Sequence, residues 1–443
     1  WSVLMQDPNV SFEEIVQQFD ELWADRPITP GCGYKPFKRW EQLMRSRMDE
    51  NGELPTGKEI QKMSSGMFQN KSLAGNWQPL GPILDEATTR DDIRGVGRMN
   101  YVAFHPSDPN IVFAGAPAGG VWRSFDGGNN WTTNTDDLAT LGVSSIAFDP
   151  QNPDIIYCGT GDRDGNDSPG MGVMKSIDGG ESWFFVNDGI EDLTVGDLAV
   201  DPNNSNTIIA AASNGIYRSL DAGETWQIES NGFNYKEIEF KPGDSNVIYA
   251  TGNGRFFKSD NNGESWTYIN EGISPATRMV IATTAADPEV VYVLRASTTS
   301  FMGFYKSTDS GENFEEMSDS PNILNWSVSG EGTGGQAWYD LCLAADPVDP
   351  NTVYVGGIRM KKSEDGGATW QDIQNNYVHV DHHWLEFNPH TNELFLANDG
   401  GMYKYENNSS WVDVSDGIVT GQIYKLGQSP HSPVKTLCGF QDN

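Results

Sequence analysis

Ser124-Phe-Asp126-Gly-Gly128-Asn-Asn-Trp131 decides the fold, because altered copies of it return five times. They are Ser176-Ile-Asp178-Gly-Gly180-Glu-Ser-Trp183, Ser219-Leu-Asp221-Ala-Gly223-Glu-Thr-Trp226, Ser259-Asp-Asn261-Asn-Gly263-Glu-Ser-Trp266, Ser307-Thr-Asp309-Ser-Gly311-Glu-Asn-Phe314 and Ser363-Glu-Asp365-Gly-Gly367-Ala-Thr-Trp370. Their serines stand 40 to 56 residues apart, the period of an array of supersecondary units. Aromatic and β-branched residues flank each copy, so each reads as the tip of a β-hairpin. Ser and Asp side chains can accept hydrogen bonds from amides that a tight turn leaves unpaired, and Gly supplies the positive φ. The closing aromatic residue then opens the next strand and covers the hairpin base. This is turn chemistry, so all six copies are scaffold.

Outward from each tip, two apolar strands separated by a Pro/Asn/Asp turn come first. Val102-Ala-Phe104 goes with Ile111-Val-Phe113, Ile146-Ala-Phe148 with Ile155-Ile-Tyr157, and Ile238-Glu-Phe240 with Val247-Ile-Tyr249. Four strands per unit make one β-propeller blade. A seventh unit is eroded: Leu385-Glu-Phe387 and Leu394-Phe-Leu396 are regular, whereas Tyr405-Glu-Asn-Asn-Ser-Ser-Trp411 keeps only the turn and the Trp. An eighth opens at Gln422-Ile-Tyr424, and the sequence reaches Gln441-Asp-Asn443 within it. The expected fold is all-β: a propeller of four-stranded blades, seven repeats plus a partial eighth, over residues 76–443. Trp77-Gln-Pro-Leu-Gly-Pro82 matches the strand after each octapeptide and is expected to lend the last blade an outer strand.

Residues 1–75 lack the repeat and read as a small helical brace. Ser11-Phe-Glu-Glu14 is a capping box for a helix to about Ala24, with Ile15, Phe19 and Leu22 on one face. A second helix is expected from Lys35 to Met48, with Phe37, Trp40, Leu43 and Met44 as its apolar stripe. Each stripe needs a partner, and the propeller flank is the expected one.

Composition limits the partners. With 29 basic against 62 acidic residues the 443-residue chain carries a net charge of −33, which disfavours nucleic acid and anionic membranes. No apolar run has the length of a membrane span. Four cysteines are too few and too scattered for a disulfide framework; Cys158, Cys342 and Cys438 read as buried small hydrophobes, Cys32 as an exposed thiol.

Three stretches break the repeat and invite a functional reading. Asp162, Asp164, Asn166 and Asp167, inserted in the second unit, present oxygen ligands around a glycine turn, as calcium needs; an ordinary Asx-rich turn has the same composition. His379, Asp381 and His383 alternate, so on a strand they share a face and could hold a transition metal, or else be buried in satisfied hydrogen bonds. The insertion from Ser320 to Tyr339 carries Trp326, Gln336, Trp338 and Tyr339 around a glycine run, followed by Asp340; with Asp399 these are candidate ligand-binding residues. Aromatic faces of this kind suit sugar rings or a protein surface.

The octapeptides resemble the Asp box, the bacterial neuraminidase repeat. That resemblance implies a propeller like those of sialidases, sortilin-type receptors and xyloglucan-cleaving glycosidases, with the boxes on the rim away from the ligand. Phe37-Lys-Arg-Trp40, Gly335-Gln-Ala-Trp-Tyr-Asp340, His379-Val-Asp-His-His383, Asn398-Asp-Gly-Gly401 and Gln441-Asp-Asn443 look like secreted Bacteroidota propellers, which implies export by the type IX secretion machinery to the cell surface or medium. The Phe/Tyr-Arg-Ile-Pro segment that sialidases pair with an arginine triad is missing. Xyloglucan-cleaving relatives place a catalytic Asp where Gly115-Ala-Pro117-Ala-Gly-Gly120 has Pro117. The leading expectation is therefore a secreted, non-catalytic binding propeller for a polysaccharide or protein, steadied by calcium. A second reading is a polysaccharide hydrolase or lyase using Asp340, Asp381, His383 or Asp399. A third is a cell-surface export or assembly partner.

Overall fold

The computed structural model describes residues 10–28, 34–49, 52, 55–56, 59–60, 62–63, 95–332, 334–407, 409–429 and 432–440. Among them the repeat becomes seven four-stranded antiparallel sheets in simple meander order, spanning residues 101–133, 143–185, 195–231, 235–269, 278–318, 342–372 and 382–413. We number these blades 1 to 7. The innermost strands of successive blades adjoin, the first with the last, so the ring is closed. At that junction Tyr101 stacks on Trp384 with ring centroids 4.2 Å apart, and the Met99 amide donates to the Asn398 carbonyl at 2.9 Å.

Two expectations are corrected here. Blade 7 draws all four strands from its own residues, so closure needs no donated strand; Trp77–Pro82 itself lies outside the described residues. The eighth unit is no ring member: Ile423–Ser429 pairs with Ser432–Phe440 as a hairpin and with no blade.

Every octapeptide folds as its chemistry demands. In the first, Ser124 Oγ donates to Asp126 Oδ1 and accepts from the Gly128 amide, both at 2.8 Å, while Asp126 Oδ1 accepts from the Asn130 amide at 2.9 Å. The same bonds recur around Asp178, Asp221, Asp309 and Asp365, and around Asn261 in the fourth copy. At several seams the Trp indole clamps its blade to the one before it. Trp226 Nε1 donates to the Val186 carbonyl and Trp131 Nε1 to the Val414 carbonyl, each at 2.7 Å, so the 7/1 seam is sealed like the 2/3 seam. Gly189, Gly272 and Gly417 sit under these aromatics with φ of 97°, 73° and 96°. A Cβ there would lie 2.4, 1.8 and 2.4 Å from a carbonyl oxygen, so only glycine fits.

Helix α1 (Phe12–Trp23) is capped by Ser11, whose side chain accepts from the Glu14 amide, and α2 (Tyr34–Arg45) follows. Among the described residues their stripes, Leu43 apart, do not pack on the propeller. They pack on each other: Phe19 stacks on Phe37 at 3.6 Å, Phe12 meets Trp40 at 5.3 Å, and the pair forms its own apolar cluster. No described helix is long and apolar enough to cross a membrane. Cys158 and Cys342 are buried free thiols.

Candidate functional site

In a meander blade the first-to-second and third-to-fourth turns lie at one end, and the second-to-third turns and interblade connections at the other. The octapeptides are third-to-fourth turns. The irregular segments 117–119, 161–172, 319–341 and 399–400 all belong to the opposite face. There Arg98, Pro117, Asp167, Tyr339 and Asp399 line a cavity of about 60 Å³, with Leu43 and Arg47 above it.

The acidic loop of blade 2 enters the centre of the ring. Asp162 caps its own turn, accepting from the Asp164 and Gly165 amides at 3.1 Å and from the Asp167 amide at 3.2 Å, so the Asx-rich turn is what forms. Its carboxylate also takes both terminal nitrogens of Arg98 at 3.0 and 3.1 Å. Asp164 is fully buried and accepts from Arg278 at 2.9 Å, with Arg163 and Lys236 each 3.6 Å away. Against the cost of burial, Arg278 and Arg163 hold it well below the usual carboxylate range. Burial and Arg278 in turn push the Lys236 amine down to about 7. Guanidinium groups thus face two of the acidic loop's carboxylates, Asp162 and Asp164. Asn166 adopts φ 56°, the left-handed conformation of a turn residue. Among the described residues no three His, Cys, Asp or Glu side chains come together as a metal site.

The strand alternation expected from His379 to His383 does not form, for a backbone reason. Asp381 has φ 65°, and the strand starts only at His382, with a bulge before Trp384. Alternation therefore does not run from 379 to 383. His379 Nδ1 lies 2.9 Å from the Val380 carbonyl, whereas His383 points inward between two carboxylates, Asp164 at 3.3 Å and Asp399 at 2.9 Å. Each of its ring nitrogens thus faces a carboxylate oxygen. His382 donates to Gln374 at 2.9 Å, and burial with the neighbouring histidines holds it well below its usual pKa.

Asp399 is the meeting point. Its oxygens accept from the Tyr339 hydroxyl at 3.0 Å, and the Arg98 guanidinium lies over the Tyr339 ring, 4.7 Å from its centroid. Burial opposes ionisation, but His383 and then Arg98 keep the Asp399 pKa low. Asp167, on the same cavity, goes the other way: burial and the Asp162 charge push it up to about 7. Trp338 touches the Tyr339 ring at 5.3 Å and gives its carbonyl to Arg278, Gln336 donates to Asp340 at 3.3 Å, and Trp326 stands exposed away from the cavity. Asp340 is buried beneath the rim, with a pKa raised well above normal by burial and by Asp381.

Sequence reasoning reached Asp167, Tyr339 and Asp399 but missed Arg98, Arg163, Lys236 and Arg278. Their signal was weak: isolated cations beside apolar strand residues, as in Arg278-Met-Val-Ile281, in a strongly acidic chain.

The family described as sortilin, neurotensin receptor 3, matches residues 214–355. A xyloglucanase of Hypocrea jecorina is 30% identical over 140 residues, covering 28% of this chain and 17% of the relative. Xyloglucanase Xgh74A of Acetivibrio thermocellus is 28% identical over 139 residues, covering 28% and 16%. The chain thus spans about a sixth of the length of the curated relatives it matches. Among solved structures, the GH74 xyloglucanase of Xanthomonas campestris superposes with a TM-score of 0.60 at 18% identity, over 79% of this chain and 58% of that one. The GH74 enzyme of Niastella koreensis gives 0.58 at 20%, over 76% and 57%. At such identities these structures speak for the fold: a propeller of the sortilin and glycosidase type. The relatives' names overturn the expectation of a binding protein without catalysis, because enzymes that cleave a polysaccharide are what this sequence resembles.

Proposed function

We propose that the chain is a glycoside hydrolase acting on a β-linked glucan of the xyloglucan type, with Asp167 as general acid and Asp399 as its carboxylate partner. One observation carries this: two carboxyl groups on one cavity have pKa values driven apart, Asp167 up to about 7 and Asp399 down. Such a split assigns acid and base roles within a pair of like groups. Asp167 gives its proton to the glycosidic oxygen as the bond to the leaving sugar breaks. Asp399, oriented by His383 and Tyr339, faces the positive charge that develops at the anomeric carbon, and either attacks it or takes a proton from water. Tyr339 and Trp338 offer rings for the apolar face of a sugar. Pro117, where the resemblance places a catalytic Asp, lines the same cavity, so these two carboxyl groups take over the work at a shared site. A polymer of this kind is met outside the cell, so export of the chain, by the type IX route or another, belongs to the proposal.

The test is release of reducing ends from xyloglucan by the purified chain. Asp399→Asn and Asp167→Asn are each expected to lower kcat by roughly 10²- to 10⁴-fold with the fold intact. Equal rates for the wild type and both variants would refute the assignment.

A further inference from the structure

The roof of the cavity is not propeller. Leu43 of α2 and Arg47 just beyond it stand over the Asp167 and Asp399 carboxyl groups, and the Arg47 guanidinium donates to the Asp167 backbone carbonyl. With this roof in place the cavity of about 60 Å³ falls well short of the roughly 300–1,000 Å³ of a ligand site. The roof thus narrows the approach to both carboxyl groups.

The roof is also a unit in itself. Its apolar residues face one another across α1 and α2, as in the Phe19–Phe37 stack. Ion pairs Lys38–Asp20 at 2.7 Å and Arg45–Glu13 at 2.9 Å tie the two helices together. An element with its own core can keep its fold when it moves, and α1 and α2 have such a core, so detachment of the pair is a local opening and not an unfolding of the helices. We propose that the α1–α2 hairpin is a displaceable cap, latched by Arg47, that competes with the polysaccharide for the rim of the cavity. The substrate in that statement rests on the reading above; the cap rests on the contacts alone.

Hydrogen exchange on the full chain tests it, comparing the wild type with Arg47→Glu, which sets a carboxylate against the Asp167 carbonyl. A hydrogen bond from a charged donor shifts a docking equilibrium by roughly ten- to a hundred-fold when lost. Amides of residues 118–120 and 163–168 should therefore exchange about ten-fold faster or more, while those of α1 and α2 keep their wild-type rates. Arg47→Ala should give the same pattern at smaller amplitude. Unchanged loops, or helices that loosen together with the loops, would each overturn the cap. In the same proteins a xyloglucan oligosaccharide should bind Arg47→Glu about ten-fold more tightly than wild type. If it binds neither protein while the exchange pattern holds, the cap stands and the substrate class falls.

Discussion

The two ends of this propeller use aspartate in opposite ways. At the octapeptide end each Asp is near solvent and is held ionised by the turn it organises; hydrogen bonds from Ser182 and Ser176 take Asp178 down to about 2. At the other end the carboxyl groups lie inside the ring and depend on distant partners. Asp164 is ionised because Arg278 and Arg163 face it, whereas burial raises both Asp167 and Asp340. The local kind is cheap and occurs in five of the six octapeptides; the long-range kind occurs once and has much more to lose.

Substitutions should separate the two kinds. Asp164→Ala leaves Arg163, Lys236 and Arg278 without their shared anion, and is expected to destabilise the chain by about 3–5 kcal/mol in denaturant unfolding. A loss under about 1 kcal/mol would mean that the central charges are not coupled. Next in size is a pH effect. The innermost strands carry carboxyl groups that accept amides of the following blade: Glu237 accepts from Ile281 at 2.9 Å and Asp197 from Ile238 at 3.1 Å. Burial, against the pull of Arg163, pushes Glu237 up to about 7 and Asp197 to about 6. Both folded values exceed the unfolded ones, so this stabilisation is complete below about pH 4 and is lost as pH rises through 6 to 7. Thermal unfolding should thus show lower stability at pH 8 than at pH 5, by up to about 3 kcal/mol from Glu237. Glu237→Gln should flatten that slope, and an unchanged slope would remove Glu237 as its source. The smallest effect is expected at the other end. Asp178→Ala should cost about 1 kcal/mol, because it removes turn hydrogen bonds that water can replace, and should leave xyloglucan hydrolysis at the wild-type rate. A loss of activity there would end the division of labour between the faces.

Legibility followed the same divide. The blades could be read because their information is local: Ser124, Asp126 and Gly128 specify a turn within five residues, and the capping box at Ser11 marked its helix. The cavity could be read only in part. The sequence showed the oxygen atoms at Asp162 and Asp164 but not their cationic partners, which come from far away, Arg98 being 64 residues from Asp162 and Arg278 being 114 from Asp164. Strand alternation misplaced His379 and Asp381 because one left-handed residue resets which way the following side chains point. The stripes on α1 and α2 announced that each needed a partner; amphipathicity does not say which.

The Trp131 clamp onto Val414 is the same fastener found between blades 2 and 3. With the closing seam fastened as an internal one is, the closure of the ring is no preferred place for it to open.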